Sequence, residues 1–196
     1  MSSHRTLLRT AAPLLAAALL LGGCMTPDKP KPKPLEPLTP QNVAGAAWSQ
    51  SIGAVKFPLT VAVAGGAFTV AASDGTVAAI DIQSGRDRWR TQLGTPISAG
   101  AGSDGRFAAV VTQGGELVTL EGGQVRWRKP VGTRVATAPL VAGERVFVLG
   151  VDRTVQAFDA LDGRKLWTFQ RPGDPLTLAQ SGVLAPFKNT LVVGQG

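Results

Sequence analysis

The chain has 196 residues, enough for one ordinary domain with extensions, and 44% of them are hydrophobic, which is adequate for a core. With 24 Gly and 14 Pro, and with runs of Val, Thr and Ala broken by Gly or Asp-Gly, it favours an all-β fold over a helical one. The net charge is +7, and the single His (His4) and single Cys (Cys24) both precede the folded part, which excludes a disulfide framework and any His- or Cys-based metal or nucleophile site there.

In chain order, Arg5 and Arg9 open a targeting segment whose apolar stretch, Ala11 to Leu21, has 11 residues. That is shorter than the roughly 20 a membrane-spanning helix needs, and the segment is set aside in fold reasoning. It ends in LLLGGC, where Gly22 and Gly23 before Cys24 resemble the lipobox of bacterial lipoproteins. The resemblance implies cleavage before Cys24, lipidation of Cys24 and, with Met25 rather than Asp following it, sorting to the outer membrane. An ordinary secretory signal with a Cys at that place is the alternative. The next stretch, MTPDKPKPKPLEPLTP, favours polyproline II, and about 16 such residues could hold a domain roughly 50 Å from a membrane; it is a tether or a plain spacer. The boundaries expected are 1–23 for the signal, 24–40 for lipidated Cys and tether, and 41–196 for a β domain. That last part keeps a charge of only +4, with no basic cluster interleaved with aromatics, so nucleic acid is not an expected partner.

A repeat runs through the domain. Trp48, Trp89, Trp127 and Trp167 are spaced by 41, 38 and 40 residues. Around three of them lies the same succession: a β-rich run, a tight turn (Asp74-Gly75, Gly114-Gly115 or Asp152-Arg153), a second run, an acidic residue, a turn ending in Gly, and a run carrying the Trp. One further strand candidate precedes each unit: FPLTVAVAG, PISAGAG, VATAPLVAG and SGVLAPF. Four short antiparallel strands per roughly 40 residues predict the blades of a β-propeller, here about three and part of a fourth, since LVVGQG opens another unit. WSQ at Trp48 resembles a blade's closing strand, with the remaining strands of that blade expected from the missing C-terminal part. The tryptophans are expected to pack between blades, and Asp81 and Asp159 to cap their turns. Arg88, Arg90, Arg126 and Arg128 alternate around Trp89 and Trp127 and read as a charged outer strand that discourages edge pairing.

Ala79-Ile80-Asp81, Gly85 and Trp89, and again Ala157-Phe158-Asp159, Gly163 and Trp167, resemble the repeat of quinoprotein-type propellers; Thr119-Leu120-Glu121 departs from it, with a turn two residues shorter. That resemblance raises a quinone-dependent dehydrogenase as one reading. A calcium ion beside a quinone needs a converging cluster of oxygen ligands, typically about 6 to 8, whereas the carboxylates here recur singly at matching repeat positions. No catalytic residue, metal ligand or cofactor is therefore expected.

Lipobox, Pro-rich tether and quinoprotein-type blades together resemble the BamB family of outer-membrane lipoproteins, which assist β-barrel assembly. The resemblance implies an eight-bladed propeller of about twice this length, so that the sequence reads as a C-terminally truncated record. It also implies a non-catalytic scaffold and docking on the periplasmic POTRA domains of BamA. Leu176 and Leu178 in GDPLTLAQSG match the two leucines of a P-x-L-x-L-R-type contact segment of that family, with Ala179 where an Arg is frequent. Read from the residues alone, the Leu-x-Leu pair is equally an inward-facing strand. An exported adhesion or cell-wall-binding propeller lipoprotein stays open as a further reading.

Overall fold

The computed structural model describes residues 31–34, 45–172 and 182–194. The chain divides into two units, 1–44 and 45–196; in the first, the described residues 31–34 are exposed and in neither helix nor strand. In the second, the Val-, Thr- and Ala-rich runs become strands wherever a turn can reverse the chain. β1 (Ala62–Ala64), β2 (Ala67–Ala71), β3 (Thr76–Asp81) and β4 (Asp87–Gln92) form one antiparallel sheet in sequence order. β5 (Gly102–Ser103), β6 (Phe107–Val111), β7 (Glu116–Glu121) and β8 (Gln124–Pro130) form the second. β9 (Leu140–Ala142), β10 (Arg145–Leu149), β11 (Thr154–Asp159) and β12 (Lys165–Gln170) form the third, and β13 (Val183–Phe187) with β14 (Thr190–Gly194) a hairpin. Helices are absent among the described residues. These are three propeller blades and the opening of a fourth, as the repeat predicts.

Residues 45–61 contain no strand; they meet the first blade through isolated bonds, the Ser73 N–H donating to Ala54 O at 3.0 Å and the Lys56 N–H to the Ser73 hydroxyl at 2.7 Å.

The core lies between blades rather than inside any of them. One face of the second blade gives Phe107, Ala109, Val111 and Leu117 to a cluster with Val146, Val148 and Phe158 of the third. Its other face gives Val110, Val118 and Leu120 to a cluster with Ala71 and Val77 of the first. Because both faces are covered, β6 is buried along its whole length, and such strands read as continuous apolar runs rather than alternating ones. The fourth strand of each blade faces solvent along most of its length.

Each blade carries a bulge at the same place, between Ala79 and Ile80, Thr119 and Leu120, and Ala157 and Phe158. The residue left over is the one before the tryptophan: Ala79 faces Trp89 and Ile80 faces Asp87, so Arg88 is unpaired in the ladder. Bulges re-aim side chains and increase local twist. Here the bulge brings Asp87 and Arg90 to one face, where Arg90 Nε donates to Asp87 Oδ2 at 2.7 Å.

Candidate functional site

The two ends of the blades are built for different tasks. At the end holding the β1–β2 and β3–β4 turns, the side chains lock blade to blade. A Cβ on Gly85 would come within 2.5 Å of Trp48, one on Gly123 within 2.8 Å of Trp89, and one on Gly163 within 2.6 Å of Trp127. Each of these glycines therefore forms the floor for a tryptophan that precedes its blade. The indole N–H of Trp48 donates to the carbonyl of Ile82, and that of Trp127 to the carbonyl of Ala160, both at 2.9 Å. Trp167 has no such glycine among the described residues; it lies 5.9 Å from the Phe147 ring of its own blade and stays 40% exposed.

Asp81 closes the same end as expected. Its Oδ1 accepts from the Gln83 and Ser84 N–H groups and from the Ser84 hydroxyl, while Oδ2 accepts from Arg88 at 2.9 Å. The Ser84 N–H, then the Arg88 guanidinium and the Ser84 hydroxyl, hold its carboxyl far below the usual range. Asp159 accepts from the Leu161 N–H at 2.9 Å. Glu121, held low chiefly by its bond from Arg106, also pairs with Arg126.

The four arginines read as a charged outer strand do sit on β4 and β8, yet they act as staples. Arg88 donates to the carbonyls of Gly65 and Gly66 at 2.6 and 2.8 Å as well as to Asp81. Arg90 reaches Ser51 O in addition to Asp87, and Arg128 reaches Glu116 and Leu93 O.

The opposite end, holding the β2–β3 and β6–β7 turns and the connections 93–101 and 131–139, opens into a cleft of about 890 Å³. Ile97 and Val135 lie buried along it, Phe57 is half-buried, and Lys56 and Arg134 are exposed at its margin. Gly182, the residue before β13, accepts from the Thr137 hydroxyl at 3.5 Å at this end. Strand to strand, the connection from β12 to β13 takes twelve residues where its two counterparts take nine.

Of the residues singled out in the sequence, Cys24, Leu176, Leu178 and Ala179 lie outside the described residues. The cleft was not predicted; its one sequence signal is Gly114, where the other two turns carry Asp74 and Asp152. Among the described residues no three His, Cys, Asp or Glu side chains converge as a metal site. The repeat carboxylates Asp81, Asp87, Glu116, Glu121 and Asp159 are instead taken up by turn N–H groups or arginines.

The family model described as "Outer membrane protein assembly factor BamB" matches residues 73–196, well over half of the chain. The chain belongs to the BamB family. It is 34% identical over 191 residues to the outer membrane protein assembly factor BamB of Bordetella pertussis (strain Tohama I), covering 93% of this chain and 49% of that one. It is also 34% identical over 179 residues to the BamB of Burkholderia pseudomallei (strain K96243), covering 88% and 47%. The chain thus spans about half the length of the curated relatives it matches. Among solved structures, BamB from Moraxella catarrhalis superposes with a TM-score of 0.53 at 21% identity, over 67% of this chain and 42% of that one. The quinohemoprotein alcohol dehydrogenase ADHIIG of Pseudomonas putida HK5 superposes with 0.51 at 22% identity, over 67% and 23%. At such identities both likenesses bear on the fold, and BamB and quinoprotein propellers share this blade.

Proposed function

We propose that this chain is the blade-bearing part of a non-catalytic scaffold lipoprotein of the outer-membrane β-barrel assembly machinery, docking on the periplasmic POTRA domains of BamA. The observation that carries the reading is the BamB family match over residues 73–196. The assignment of the repeat carboxylates and tryptophans to turns and blade junctions supports a scaffold rather than an enzyme. In this reading residues 1–23 are a signal peptide, Cys24 is lipidated and holds the protein at the periplasmic face of the outer membrane, and 24–40 form the tether to the partial propeller of 41–196.

Leu176, Leu178 and Ala179 are the proposed contact with BamA. They belong to the β12–β13 connection, which at twelve residues is longer than its two nine-residue counterparts, and two leucines contribute about 1.5–3 kcal/mol each when buried, a useful share of the roughly 8 kcal/mol behind a micromolar complex. The test uses the full-length protein carrying Leu176→Asp with Leu178→Asp. Reduced capture of BamA with an unchanged unfolding midpoint is expected. Capture at the original level, or loss of the fold, overturns the docking role of this pair.

A further inference from the structure

We draw no further inference here: the strongest candidate, the exposed apolar face of the β13–β14 hairpin where Val183, Phe187 and Val192 lie open, carries nothing, because nothing in the structure shows what covers it.

Discussion

Trp127 of the second blade rests on Gly163 of the third, and its indole N–H closes the contact on the Ala160 carbonyl at 2.9 Å. Gly163 has a φ of 72°, and a Cβ there would stand 2.6 Å from the indole. Two separate penalties apply to any side chain at this site: left-handed backbone strain of about 1–2 kcal/mol and overpacking of about 1–3 kcal/mol. Gly94, with a φ of 73° and nothing within 4 Å of an added Cβ, carries only the first. In denaturant titrations of the full-length protein, Gly163→Ala is expected to destabilise by about 2–5 kcal/mol and Gly94→Ala by about 1–2 kcal/mol. Equal losses at the two sites would mean that the Trp127 contact contributes nothing.

Asp81 gives the domain a pH response of definite sign. Its carboxyl is held low in the folded state, first by the Ser84 N–H, so the ionised form is the one the fold favours. The stabilisation is fully present above the ordinary carboxylate pKa of about 3.9 and is lost as pH falls from there through the depressed folded value. Unfolding midpoints followed from neutral pH to pH of about 3 should fall more steeply for the original protein than for Asp81→Asn. The gap between the two should narrow with acid; a constant gap would remove the role of the ionised form.

Gln156 lies buried at the junction of the second and third blades, its side-chain N–H donating to Val131 O at 2.6 Å while Oε1 has no partner. Gln156→Glu would replace that donor with a buried carboxylate facing a carbonyl. A loss of about 3 kcal/mol or more at neutral pH is expected. Burial raises the pKa of the new carboxyl, so stability should recover as acid protonates it. Thermal melts at pH 7 and at about pH 5 test this directly.

Arg88 bonds two carbonyls of the β1–β2 turn and one carboxylate through a single planar fork. A lysine cannot reach all three at once. Arg88→Lys should lower stability by about 1 kcal/mol and speed amide exchange in the Gly65–Gly66 turn, whereas Arg86→Lys should do neither.

Much of the fold was legible in the sequence because blades repeat. Four tryptophans at nearly equal spacing, each followed by strand-turn-strand composition, sufficed to place every four-stranded sheet. Asp81 and Asp159 could be assigned to turn capping because an Asp before a Gly-terminated turn has N–H groups within reach. The role of Arg88 was not legible. Strict alternation puts Arg88 and Arg90 on one face opposite Trp89, but the bulge breaks that parity, pairing Arg90 with Asp87 and sending Arg88 to the neighbouring turn. Nor did the sequence show which glycine receives which tryptophan, because period alone carries no direction between blades. The cleft left only Gly114 as a sign, a departure that becomes meaningful once its two sister turns are superposed on it.

A core shared between blades also bears on the order in which this domain can form. Val110, Val118 and Leu120 are dry only when the first blade is in place, and Phe107, Val111 and Leu117 only when the third is. A single sheet newly emerged during synthesis has an apolar side still wet until its successor arrives. Assembly is thus timed by the following roughly 40 residues rather than by the sheet itself, and any pause in synthesis within a blade leaves the preceding one adhesive for its whole duration.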